Sequence, residues 1–268
     1  MSGGSFTGGT TVLDASGTVS VVGTSSQLSV SSIVGSGEGG VVGGGEEPQP
    51  LLDVGDGGVV SGGTASGDLV IRGPSGRRCV VSPGGSLDVG AGGLSMECGT
   101  LVVEPTGVVV GGSVSLEGLW VNVSGSVSVG NRAELNVTGT AVVIHSTGVV
   151  AGGSVTVLCS ALWVGGHISA DGLGYDGTHE LAHYDGYGLG PGSWAGGGGH
   201  GGSGGGPWGG RQGHGGSAYG DMLSPRTWGS SGGCREQCHI WAASGGGRVY
   251  IQAVNVSVAS GGLVSANG

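Results

Sequence analysis

The chain has no lysine, a single phenylalanine and only three methionines among its 268 residues. Its eight basic residues are all arginine, and 18 acids outnumber them to leave a net charge of −10. An acidic surface without a basic patch argues against nucleic acid and against anionic membrane as partners. The lack of lysine is explained more simply by a GC-rich coding sequence. No run approaches the roughly 18 apolar residues that span a bilayer, so no membrane insertion is expected of this chain. The N-terminus, Met1-Ser-Gly-Gly-Ser-Phe-Thr7, has neither the basic nor the apolar region of a signal peptide. What is abundant is glycine, with 70 residues. Helix interiors tolerate glycine poorly, so composition argues against a helical architecture. Valine and leucine are nevertheless plentiful and mean hydropathy is +0.22, which is too apolar for a disordered polar tract. The material suits a long, thin core.

A cluster of the form Gly-Val-Val-x-Gly-Gly returns, with small variations, at Gly40–Gly44, Gly58–Gly63, Gly107–Gly112 and Gly148–Gly153. The first two copies are about one step of 20 apart and the last two about two such steps. The interval from Gly58 to Gly107 is less regular and implies an insertion. A valine-borne recurrence of roughly 20 residues predicts one coil of a β-solenoid. Val127-Ser128-Val129, Thr18-Val19-Ser20-Val21 and Val254-Asn255-Val256-Ser257-Val258 alternate valine with small polar residues, as half-buried strands do. The expected fold is therefore all-β, a right-handed parallel β-helix whose inward valines and leucines stack. The segments around Leu119-Trp120-Val121 and Leu162-Trp163-Val164 match, which places Trp120 and Trp163 at equivalent positions two coils apart, filling core or covering a corner.

Four regions are expected. Residues 1–49 form N-terminal solenoid strands of partly irregular kind, ending at Glu46-Glu47-Pro48-Gln49-Pro50, where the prolines cannot donate ladder bonds. Residues 50–171 form the main β-helix. Residues 172–233 form an insertion in which glycine rises to two residues in five, valine disappears and seven of the twelve aromatics gather. Within it, Gly198–Gly206 has a period of three, which suits extended polyglycine-II-like passes paired side by side. Residues 234–268 return to β-helix. Because Leu263–Gly268 repeats His167–Gly172, that return is expected to continue in a longer parent.

The run from Ile168-Ser-Ala-Asp-Gly through Gly-Gly-Gly-Gly-His200, Tyr219-Gly-Asp221, Pro225 and Gly229-Ser-Ser-Gly-Gly to Arg248-Val-Tyr-Ile251 and Val264-Ser-Ala-Asn-Gly268 resembles a known module. It is similar to the glycine-rich β-helix module of large surface or secreted proteins in bacteria, protists and plants. The resemblance covers the C-terminal part of the chain, from Ile168 onward. It implies an extracellular or cell-surface location and a solenoid architecture, and no agreed chemistry. Thr178-His-Glu-Leu-Ala-His-Tyr184 departs from the module, where small residues are expected.

That departure matches the zinc-protease signature: His179-Glu180-Leu181-Ala182-His183. The chemistry needs both histidines on one face of a regular helix with Glu180 beside the metal-bound water. Glycines at 172, 174, 177, 186, 188 and 190 leave about two turns with nothing to hold them, and the third histidine of the extended signature would fall at Leu189. His179, Glu180 and His183 are thus weak candidates, and a surface turn is the expectation. Gly172-Leu-Gly174-Tyr-Asp-Gly177 matches a dinucleotide fingerprint, a match that chance supplies in so glycine-rich a chain. His200 and His214 are expected to pack or hydrogen-bond between passes. No paired carboxylates, nucleophile elbow or phosphate loop stands out, and Arg77, Arg78 and Arg132 are scattered among few acids. No cofactor, no metal and no catalytic residue is expected.

Cysteines and asparagines say more. Cys98 follows Cys79 by about one coil and Cys159 follows Cys98 by about three, and residues one coil apart stack within disulfide range. Two alternatives follow. Either Cys79 pairs with Cys98 and Cys234 with Cys238, leaving Cys159 buried and free, or the first three are core thiols in one column. Sequons at Asn122, Asn136 and Asn255 have flanking residues that alternation turns inward, so each Asn faces solvent as a glycosylation candidate. The function expected is a non-enzymatic extracellular or cell-surface β-solenoid, a rigid and adhesive spacer with a glycine-rich recognition surface. Its partners would be polysaccharide, surface glycans or other surface proteins. A carbohydrate-active β-helix enzyme would instead show clustered Asp, Glu or Arg on one outward strand face. A zinc metalloprotease would carry stoichiometric metal at His179 and His183.

Overall fold

The computed structural model describes seven strands by their backbone between Ser5 and Gly62, with side chains only at Leu52, Asp53, Val54 and Val60. It then describes residues 68–177 apart from 74, and 184–207, 213–221, 226–234 and 243–268. Among these residues the chain is all-β, without a helix, and the strands stack in parallel as a β-solenoid.

Successive strands fall on three faces in rotation. Ser5–Phe6, Val12–Ala15 and Val19–Val22 make the first turn; Gln27–Val30, Ser32–Gly35 and Leu52–Gly55 lie on them in parallel register. The first face gathers nine strands, the last two being His167–Ser169 and Leu263–Ser265. From Ser113 onward the second- and third-face strands join into single strands of 11 residues: Ser113–Val123, Glu134–Ile144, Ser154–Val164 and Arg248–Val258. These pass from one face to the next through Gly118, Gly139, Cys159 and Ala253, which sit in one column. The corner is tight, since a Cβ on Gly118 would stand 2.8 Å from the Cys98 carbonyl oxygen.

Alternation decides which residues enter the core. On the first face Val60, Leu87, Val109, Val127, Val150 and Ile168 stack in one fully buried column. On the second, Leu69, Leu94, Val114, Leu135 and Val155 do the same. On the third, Leu52, Cys79, Leu101, Val121, Val142 and Leu162 are buried in register. Each such aliphatic side chain contributes about 1.5–3 kcal/mol by leaving water, and each packs against the turns before and after it. β-branched residues suit these pleated, one-face-buried strands.

The described copies of the repeat all lie on the first face: Val60, Val109 and Val150 belong to its inward column. The long interval between the second and third copies is two turns, Val60 to Leu87 and Leu87 to Val109. The spacing thus reflects variable corners and a turn that lacks the valine pair. The copy at Gly40–Gly44 and the segment Glu46–Pro50 lie outside the described residues.

Register also corrects the tryptophan expectation. Trp120 stacks below Ala141 and Ala161, whereas Trp163 stacks above Val143 and Asn122. Their columns are two residues apart, because two more residues separate the buried valine from the Leu-Trp-Val motif in the later copy. Both rings point outward from the third face.

The last turn is uncovered among the described residues. Val256, Val258 and Val264 occupy inward columns, yet are 53%, 51% and 38% exposed; Leu162, Val164 and Ile168 beneath them are buried.

Candidate functional site

The insertion leaves the solenoid after His167–Ser169 and re-enters at Arg248. Gly247 N donates to Ala170 O at 2.6 Å, so exit and return are adjacent. Between them the described residues run in extended passes without regular strands, apart from one antiparallel bridge of Asp185 with Ser193. The donors of Gly229 to Cys234 show how the passes are held. Gly229 and Gly232 donate to Gly246 and Ala243, Ser230 and Gly233 to Gly199 and Gly196, and Ser231 and Cys234 to Tyr187 and Tyr184. Every third residue addresses the same neighbour, and partner numbers fall by three, so this pass runs antiparallel to three others at once. A threefold backbone of this kind points its amides in three directions, and glycine is what lets the neighbours approach. A Cβ on Gly216 would run into the backbone of Gly190 and Gly199.

Side chains close the remaining gaps. Tyr219 Oη donates to Trp228 O at 2.5 Å and lies 2.7 Å from Ser230 Oγ, which accepts from Gly190 N at 2.9 Å. Burial pushes the Tyr219 phenol above its ordinary pKa, partly offset by the Ser230 hydrogen bond. Ser231 Oγ accepts from Tyr187 N at 2.7 Å. His200 Nε2 is 3.1 Å from Thr227 Oγ1, and its ring stands edge-on to Tyr219 at 5.0 Å. His214 is exposed and bonded through its backbone to Ser193. Tyr184 stacks on Trp194 at 4.1 Å. The bundle is tied to the solenoid by Asn131 Nδ2 donating to Asp176 Oδ1, by Arg132 over the Tyr175 ring at 5.1 Å, and by Arg248, whose Nη1 donates to Arg226 O at 3.3 Å and whose guanidinium lies over the Trp228 ring at 5.9 Å.

A cleft of about 670 Å³ opens between the bundle and the last turn. Glycine backbone from residues 197–199 and 245–247 lines it, together with His200, Thr227, Ser230, Arg248 and Ser265. No Asp or Glu is among its described lining residues. The described lining offers backbone amides, hydroxyls, the His200 imidazole and one guanidinium, a hydrogen-bonding surface. The nearest approach to clustered charge is elsewhere, on the second face. There Arg72, Glu97 and Glu117 stack in one outward column, with Arg72 Nε 3.6 Å from Glu97 Oε2 and both side chains more than half exposed. Solvated charges of this kind contribute little.

Cys79 and Cys98 form a disulfide with their Cα atoms 6.2 Å apart, and both are buried. Stacking one coil apart is not what joins them. The column partner of Cys79 is Leu101, and Cys98 stands three residues earlier, at the corner that follows Gly93–Glu97. Continuing the register Glu97–Glu117 by one residue puts Cys98 in the column of Gly118, Gly139 and Cys159. So two of the three thiols share a column and Cys79 does not. Cys159 is free but half-buried, contrary to the buried position expected, because it sits at the corner; partial burial raises its thiol pKa. Cys234 is disulfide-bonded. Cys238, its expected partner, lies outside the described residues, as do His179, Glu180 and His183.

Asn122 and Asn136 are half-buried on outward positions, between buried Val121 and Val123 and between buried Leu135 and Val137. Asn255 is exposed, but its neighbour Val254 is 81% exposed near the corner and not inward as alternation implied. Gly172–Gly177 forms the first pass of the insertion, with Gly172 at φ 65°. No group of three His, Cys, Asp or Glu residues able to hold a metal occurs among the described residues, and no described helix is long and apolar enough to cross a membrane. Comparison with protein-family models, curated proteins and solved structures found no match to this chain.

Proposed function

We propose that this chain is a non-enzymatic structural solenoid of an extracellular or cell-surface protein. It acts as a rigid spacer that carries the glycine-rich bundle on its side as a recognition platform. The observation that supports it best is the continuity of the inward columns: the same aliphatic positions recur turn after turn, and each turn is stabilised by its neighbours. Such a rod needs no reacting group to do its work. The buried disulfide between Cys79 and Cys98 favours an oxidising compartment, where the sequons at Asn122, Asn136 and Asn255 also meet their modifying machinery if the source is eukaryotic. Surface biotinylation of intact source cells tests this reading. Labelling without permeabilisation is expected, and a protein found only in the reducing interior would overturn it.

A further inference from the structure

The outward side of the third face differs from the rest of the molecule. We propose that it is a binding site for a neutral polysaccharide chain, with Trp120 and Trp163 as its stacking platforms. Two outward positions per strand make up this face. They read Thr100 and Val102, Trp120 and Asn122, Ala141 and Val143, Ala161 and Trp163, and Asn255 and Ser257. None of these is charged, in a chain of net charge −10; charge on this face is confined to the turns below, where Arg78 and Asp53 hold outward positions in the same two columns. An uncharged strip on an acidic protein fits a neutral sugar polymer and repels an acidic one.

The rings are placed to meet such a polymer. Trp120 is 55% and Trp163 37% exposed. They stand two strands apart in the stack and two residues apart along it, roughly 10 Å by 7 Å on sheet geometry. The diagonal, about 12 Å on these spacings, is roughly two units of an extended sugar chain, so alternate units can lie on the two rings. Ala141 and Ala161 in the column of Trp120 keep the sheet between them low. Trp163 is held against the sheet: its six-membered ring occupies the space a Cβ on Gly165 would need, and His145 packs edge-on at 5.9 Å. An exposed aromatic surface is what the apolar face of a pyranose stacks on, and the hydroxyl of Thr100, in register beside Trp120, flanks it to hydrogen-bond sugar hydroxyls.

The proposal takes its setting from the surface-protein reading, but binding is measured on purified protein and does not depend on location. Affinity electrophoresis in gels containing hydroxyethylcellulose, with parallel pull-down on particulate cellulose and chitin, is expected to retard or capture the wild-type chain produced without glycans. Trp120→Ala and Trp163→Ala should each weaken binding about tenfold, and the double variant should abolish it. Tyr250→Ala, an exposed aromatic on the second face, should leave it unchanged. Gly165→Ala keeps both rings but displaces one, and should weaken binding about as much as Trp163→Ala. Polygalacturonate should bind more weakly than the neutral polymers. Three results would overturn the proposal: wild-type migration unaffected by every neutral polymer, a double variant that binds as well as wild type, or self-association of the wild type that the tryptophan variants abolish, which would assign the face to a second copy.

Discussion

Removing the Cys79–Cys98 link is the sharpest test of how the turns hold together. The two residues are 19 apart in sequence, and cross-linking a loop of that length takes about 3 kcal/mol of entropy from the unfolded chain. The folded state, in which the two positions already meet, loses nothing comparable. The double variant Cys79→Val, Cys98→Ala removes the link with little damage to packing, since Cys79 stacks between Leu52 and Leu101 and a valine suits that column. A solenoid opens locally rather than all at once, so the loss should be read in the turns concerned. Amides from 78 to 103 should exchange with solvent about a hundredfold faster, the change in rate that about 3 kcal/mol corresponds to, while amides in Glu134–Ile144 and Ser154–Val164 change little. A thiol titration of the unfolded, unreduced wild type should meanwhile count one free thiol, from Cys159. Uniformly faster exchange along the rod would show that the turns do not open independently. Unchanged exchange at 78–103 would show that the link constrains nothing in the unfolded chain.

Three further outcomes are expected. Leu135→Ala, in the fully buried second-face column between Val114 and Val155, should cost about 3 kcal/mol in urea unfolding through lost burial and a residual cavity. Gly216→Ala should loosen the bundle, seen as faster proteolysis within 184–234, whereas Gly201→Ala, with nothing within 4 Å of its added methyl, should behave as wild type. Asp171 accepts from Ser265 Oγ at 2.7 Å and Asn267 N at 2.5 Å, and these bonds, led by Ser265, hold its carboxyl below the usual range. A depressed folded pKa stabilises above the unfolded value and is lost as pH falls through the folded one. Asp171→Asn should therefore lower the melting temperature near neutral pH, and the difference should vanish in acid, below the carboxyl's folded pKa.

Much of the rod was legible because its rule is local. Alternation of valine with small polar residues needs only the neighbours to be read, and Val127 and Val129 or Leu135 and Val137 fall inward as alternation requires. Spacing was less dependable. The turn from Val60 to Leu87 is half as long again as the turns from Val109 to Val127 and from Val150 to Ile168, because the corners tolerate insertions. Counting along the chain therefore locates a neighbour only to within several positions. That is why the Cys79–Cys98 pair followed from a spacing near one coil while its stacking rationale did not, the true register partner of Cys79 being Leu101. It is also why two matching Leu-Trp-Val motifs landed two residues apart. Within the insertion the period of three at Gly198–Gly206 was visible, yet which passes touch depends on long-range hydrogen bonds such as that from Ser230 to Gly199, and glycine carries no side chain to encode a partner. His200 was expected to bond between passes and does, to Thr227 and against Tyr219, but nothing in the sequence marked Tyr219, Thr227 or Ser230 as parts of the same network.

These differences follow from where the fold places its constraints. In a three-faced solenoid the inward columns determine stability, and one polar substitution there is felt by two neighbouring turns. Outward columns are constrained only by solubility and strand preference, and small polar residues satisfy both, as Ser95 and Ser115 do on the second face. A large aromatic residue at an outward position gains little from the fold, because its ring is left in water. Trp120 and Trp163 break that economy on a stretch of the third face whose outward positions, from Thr100 onward, carry no charge, and Gly165 makes room for one of the rings. The insertion breaks it differently: its passes leave and rejoin the rod at adjacent points, so the stack of turns closes around it. Both departures lie on surfaces the core does not need, which is where a molecule stabilised by repetition is free to carry recognition.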